Sequence, residues 1–150
     1  MNIIKQQLFE ACQDYVKERE NTVQEIISSN QKALHSETKS SAGDKHETGR
    51  AMLQLEREKA GNQLSEIVKV KEALSKISVE NTSQTIGLGS VVYTTKANYY
   101  IAISAGELII GKDKFYAISP NTPIGKLLIS KTIGDAVSFR ELSFEVNQVI

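Results

Sequence analysis

The chain has 150 residues, 18 basic against 18 acidic side chains, 40% hydrophobic residues and one cysteine. That length suits one domain or two small ones, the balanced charge argues against a general grip on nucleic acid, and no run approaches the roughly 18 apolar residues of a membrane span. The opening "MNIIKQQLFEACQDY" lacks a signal-peptide core because Glu10 and Asp14 interrupt it, so a cytoplasmic protein with a reduced Cys12 is expected.

Composition changes near residue 80. Residues 1–80 hold no proline and three glycines, Gly43, Gly49 and Gly61, whereas residues 81–150 hold both prolines, six glycines and seven of the nine aromatics. The first part is predicted to be an antiparallel coiled-coil helical hairpin with its tip near 39–46. In its first helix Ile4, Leu8, Ala11, Tyr15, Val23, Ile26 and Ala33 recur mostly at steps of three or four, with Arg19 and Asn30 on the same seam. In its second helix the seam reads Ala60, Leu64, Ile67, Lys71, Leu74. At about 1.5 Å per residue, arms of roughly 35 residues would be about 50 Å long, so most of each is expected to stand in solvent. Ser40, Ser41 and Gly43 mark the turn. Gly49 and Gly61 each cost about 1 kcal/mol relative to Ala inside a helix, and the sequence offers no packing reason for them.

Residues 81–150 read as strands. "GSVVYTT", "NYYIAIS", "ELIIG", "KFYAIS", "DAVSF" and "LSFEVNQVI" are β-branched and aromatic runs separated by turn residues. They predict an antiparallel sheet of about five strands. Leu142, Phe144, Val146 and, after a one-residue slip, Val149 would share a buried face. Pro123 opens one short helix, with Ile124, Leu127 and Leu128 at helical spacing. The whole is an α+β protein.

Asp44 and Glu47 are the first candidates for chemistry. At i and i+3 of a helix their side chains lie roughly 5–6 Å apart. One reading is a capping box with Asp44 as N-cap and Glu47 at N3, worth about 1 kcal/mol. The other is a magnesium-delivering tip, since that ion often takes only one or two protein carboxylates and completes its shell with water and phosphate. Cys12 would need a basic partner to act as a nucleophile, and His35 and His46 both fall toward the turn, so Cys12 reads as a packing residue. The two histidines do not make a zinc site and default to solvent exposure. Lys39, Lys45 and Arg50 flank the acids, either as a solvated tip or as contacts to RNA phosphates or an acidic channel wall. Gly87 and Gly89 in "IGLGS" do not form a phosphate-cradling motif. "SPNTPIG" reads as a rigid turn into a helix.

Two segments carry a family resemblance. "AGDKHETGRAMLQLEREKAG", residues 42–61, resembles the hairpin-tip pattern G-D-L-x-E-N-A-E-Y of the bacterial GreA/GreB transcript cleavage factors. "AISPNTPIGKLLISKTIGDAVSF", residues 117–139, resembles their S-P-I-G-x-A-L-L-G-K-x-x-G-D-x-V segment. In layout the resemblance covers nearly all of the chain. It implies a hairpin over 1–80 that enters the secondary channel of RNA polymerase, and an FKBP-like domain over 81–150 that grips the rim. Ser119, Pro120, Lys39, Lys45 and Arg50 would be partner contacts. Asp44 and Glu47 would assist catalysis by helping the polymerase bind a second Mg2+, which the isolated factor does not keep. The nascent RNA 3′ end is then a partner only indirectly. The factor would be a monomer, away from membranes, and not an enzyme by itself. Thr48, Gly49, Arg50 and Ala51 stand where the family has N-A-E-Y, and Lys45 replaces an apolar residue. An alternative is therefore a non-cleaving regulator of the same channel. A third reading is a free-standing thiol or acyl-transfer enzyme using Cys12.

Overall fold

The computed structural model describes the backbone of residues 3–39 and 44–150 and the side chains of residues 3–36 and 48–150. Two long helices, α1 (Ile3–Lys39) and α2 (Asp44–Ser75), precede six strands and a short helix, so the protein is α+β. The chain divides into two compact units: Met1–Tyr15 with Glu72–Ile150, and Val16–Lys71.

In the unit Val16–Lys71 the helices run antiparallel. Glu20 pairs with Lys71 at 3.0 Å, and Asn30 Nδ2 donates to the Leu53 carbonyl at 3.4 Å, so partners descend along α2 as residue numbers climb α1. On α1 the buried and half-buried line is Val16, Glu20, Val23, Ile27, Asn30, Leu34, with alternating steps of four and three. On α2 the line runs through Gly49, Leu53, Ala60, Gln63, Ile67 and Val70. This is a heptad seam that keeps the expected Val23, Asn30, Ala60 and Ile67 but takes a neighbouring row at other positions. Cys12 and Val16 are buried where Ala11 and Tyr15 are only half-buried, Ile26 is 40% exposed while Ile27 turns inward, and Arg19 and Lys71 are exposed. Val70 likewise takes the line expected for Lys71, while Gln63 and the expected Leu64 are both half-buried. Neighbouring residues sit about 100° apart around a helix, so two adjacent rows share one period and apolarity alone does not choose between them. Gly49 lies on the seam, whereas Gly61 is exposed and a β-carbon there would meet nothing within 4 Å, which leaves Gly61 without a packing reason.

The other unit holds a sheet of order β3-β4-β2-β1-β6-β5. Its strands are β1 (Val91–Thr94), β2 (Asn98–Ile101), β3 (Gly106–Ile110), β4 (Asp113–Ile118), β5 (Ala136–Phe139) and β6 (Leu142–Val149). All six predicted runs are strands. The expectation of about five strands, all antiparallel, is corrected: there are six, and β2 pairs with β4 in parallel. The path of the β2–β3 link, residues 102–105, produces this arrangement. Ala102 N donates to Ile118 O and Ala105 N to Ala117 O, so the link crosses the end of β4 and delivers β3 to the far side. The hairpin return then lays β4 between β3 and β2.

The central strands β1 and β2 are buried almost throughout, because both sheet faces are covered. Ile86, Val92, Tyr99, Ile101, Leu128, Phe144 and Val146 pack together on one face. Tyr100 and Phe115 are fully buried, as is Cys12 of α1. The predicted slip in β6 is a β-bulge: Val92 opposes Val149 but Thr94 opposes Val146. Leu142, next to the β5–β6 turn, is 54% exposed rather than part of the buried face.

Ile67 is 2% exposed, so Ile67→Ala should lower unfolding free energy by about 2–5 kcal/mol in a urea titration. Lys71→Ala removes only a solvent-screened ion pair and should cost less than about 1 kcal/mol.

Candidate functional site

The first candidate surface is where the hairpin reverses. α1 ends at Lys39 and α2 opens at Asp44, and residues 40–43, within the expected tip at 39–46, lie outside the described residues. Residues 44 and 47 are the first and fourth of α2. Three residues of helix advance about 4.5 Å and leave the two positions about 60° apart, on one face of the first turn. Carboxylates there are favoured by the partial positive charge of a helix N-terminus. The side chains of Asp44, Glu47, Lys39, Lys45 and His46, and with them the geometry of the expected capping box, lie outside the described residues. Arg50 is exposed on α2, and His35 is exposed on α1. Among the described residues no three His, Cys, Asp or Glu side chains group as metal ligands.

The second candidate surface is the loop that begins at Ser119 and Pro120, and it is built rigidly. Thr122 caps α3 (Pro123–Leu128): its hydroxyl accepts from Gly125 N at 3.1 Å and donates to Ser119 O at 2.8 Å. Thr122 N also donates to Ser119 O, and Ser119 Oγ accepts from Asn121 N. Pro123 fills the first helical position, where a missing N–H costs nothing. Gly125 closes the arrangement. A β-carbon there would stand 2.8 Å from the Thr122 hydroxyl and closer still to the Ser119 carbonyl. Ser119 and Pro120 are half-buried, while Asn121 and Pro123 are exposed on the same turn. The sequence marked Pro123 as a helix start. It did not single out Thr122 or Gly125, although Thr-Pro before a helical run is a capping signal.

Cys12 carries no catalytic character. It is fully buried, and burial pushes the thiol from 9.0 up to about 12, so it is protonated at neutral pH. Lys5 is buried nearby in sequence, donates from Nζ to Asn81 O at 2.6 Å, and is lowered in pKa by desolvation. The Tyr100 hydroxyl is buried without a hydrogen-bond partner among the described residues, and burial followed by the charge of Cys12 raises its pKa. These groups belong to a core, not to a solvent-reaching site.

No protein-family model matches the chain, and no curated protein is significantly similar to it. Among the described residues no helix is long and apolar enough to cross a membrane.

Two outcomes follow from these sites. Gly125→Ala should cost at least about 2 kcal/mol in a thermal or urea melt, because the clash is with backbone that cannot give. A thiol whose folded pKa is raised contributes stability in full below about pH 9, and that contribution is lost as pH rises through about 12. Lys5, lowered in the fold, acts in the opposite sense below 10.5. The urea midpoint of Cys12→Ala should therefore fall less than that of the wild type between about pH 8.5 and 11.5, since Lys5 is common to both.

Proposed function

We propose that the protein is an RNA polymerase secondary-channel factor of the Gre type that stimulates cleavage of backtracked RNA. One observation carries the reading: α2 opens at Asp44, so two carboxylate-bearing positions stand on its first turn, directly after the hairpin reverses. The order of parts supports it too, a long helical pair followed by a small sheet domain with a rigid proline loop at 119–125. In this reading the helical pair is the probe, and Ser119 and Pro120 belong to the surface that docks on the polymerase. Lys39, Lys45 and Arg50 line the tip against RNA phosphates or the channel wall.

The donor set fits a shared magnesium site. Two carboxylates are fewer ligands than an octahedral ion requires, so the factor supplies part of a shell that the polymerase and the RNA phosphate complete. Magnesium held there supplies charge stabilisation for the attacking and leaving oxygens of phosphodiester hydrolysis. Asp44 and Glu47 then do two things: they offset that positive charge, and they accept hydrogen bonds that orient water. A protein with this role is no enzyme alone.

The exposed Arg50, where the family pattern has an acid, favours a second reading: a channel regulator that binds without cleaving. One assay separates the two. Stalled, backtracked polymerase complexes are incubated with the wild type or with Asp44→Ala plus Glu47→Ala. The first reading expects RNA shortening by the wild type and a loss of at least about 100-fold in the variant, with binding unchanged. A wild type that saturates binding yet shortens no RNA supports the regulator. A wild type that does not bind polymerase ends both.

A further inference from the structure

The parallel pairing of β2 and β4 has a chemical consequence away from the hairpin tip. Asn98 opposes Phe115 in that pair, and both strands run the same way, so the turns that lead into them open side by side at one end of the sheet. The β1–β2 turn carries Lys96, and the β3–β4 turn and the start of β4 carry Lys112 and Lys114. Residues sixteen to eighteen apart in sequence thus meet around one open cleft of about 420 Å³, lined also by Asn98, Asp113 and Tyr116.

Both turns are held stiffly. Thr94 Oγ1 accepts from Lys96 N at 3.1 Å and from Ala97 N at 3.0 Å, and donates to the Ala97 carbonyl. In the other turn Ile110 pairs with Asp113 across two central residues, and Gly111 has φ +64°. A glycine at the first central position, with Lys112 not in the left-handed region, is the two-residue hairpin loop that matches strand twist. The loops therefore present their ammonium groups from fixed backbone.

All three lysines are exposed. Lys114 lies 3.3 Å from Glu107, whereas Lys96 and Lys112 have no carboxylate within 4.0 Å among the described residues. Tyr116 lies on the same face of β4 as Lys114, is 37% exposed, and has the Tyr99 ring of the neighbouring strand beside it at 6.1 Å. Ile109, opposite Lys114 on β3, is 65% exposed. Two uncommitted ammonium groups, a third weakly paired one and an aromatic face recur where single-stranded nucleic acid binds: cations take phosphates and a ring takes a base.

We propose that this end of the sheet binds a single-stranded nucleic acid segment, with Lys96, Lys112 and Lys114 on the phosphates and a base against Tyr116. An acidic polypeptide would use the lysines but has no flat group for Tyr116. The site does not depend on the reading given for the hairpin. Overall neutrality is no obstacle, because the field a phosphate meets is set within about a Debye length, roughly 10 Å at moderate salt.

The test is fluorescence anisotropy of a labelled single-stranded RNA of about eight nucleotides with the full chain at low and rising salt. Two to three neutralised phosphates predict a slope of log K against log salt of about −2. The triple variant Lys96→Ala, Lys112→Ala, Lys114→Ala should bind at least about tenfold more weakly with a flatter slope. Tyr116→Ala should bind about tenfold more weakly with the slope unchanged, a split that loss of charge alone does not produce. Circular dichroism confirms that each variant is folded, which exposed turn and strand positions allow. Absence of wild-type binding, wild-type affinity in the triple variant, or equal displacement of the RNA by polyglutamate would overturn the proposal; the last result would mark the cleft as a surface for acidic protein.

Discussion

The pairing of α1 with α2 depends on side chains that return to one line every seven residues. Val16, Val23 and Asn30 mark that line on α1, and Leu53, Ala60 and Ile67 mark it on α2. The line is not uniformly apolar: Glu20, Asn30 and Gln63 lie on it. A purely apolar seam would tolerate sliding by a whole heptad, because each row looks like the next. Buried polar residues interrupt that repetition, and Asn30, which reaches the Leu53 carbonyl at 3.4 Å, would meet different neighbours after such a slide. The Glu20–Lys71 pair marks the same register from the other end of the unit. In this register α1 ends at Lys39 and α2 opens at Asp44, with positions 44 and 47 on its first turn.

The sheet unit follows a different constraint. Its two central strands are buried on both faces, so their sequences show almost no alternation, while β3 and β6 alternate as strands with a solvent side do. Tight local devices then fix what the sheet presents. Thr122 and Gly125 hold the Ser119–Pro120 loop, and Thr94 and Gly111 hold the lysine-bearing turns. Exposed groups on such loops keep a fixed backbone, which lowers the entropy a partner must overcome on binding.

Much of this was legible in the sequence, for local reasons. Helix and strand periods, the proline that opens α3 and the glycine-poor first half are written within short windows, and all six strands fall on the runs read for them. The slip before Val149 was visible as a broken alternation. What stayed hidden depends on residues far apart. Ile26 and Ile27 are equivalent until the partner helix selects Ile27. The parallel β2–β4 pair follows from where the β2–β3 link crosses, and no run of residues announces it. The lysine cleft was invisible for the same reason, since Lys96 and Lys112 meet only through that pairing. At the hairpin, spacing alone identified Asp44 and Glu47 as a pair. It left capping and metal delivery open, and only the family resemblance leaned toward the second.

The central claim is that residues 44–47 work inside another protein's active site. Its most direct measurement is a photo-crosslink. A photoreactive group placed at position 45 is activated in a complex with backtracked RNA polymerase whose RNA carries a 3′ label. The account predicts label transfer from the RNA 3′ end to this chain, abolished when the secondary channel is blocked by a competing factor. Crosslinks confined to the outer surface of the polymerase, or none at saturating concentration, would contradict it.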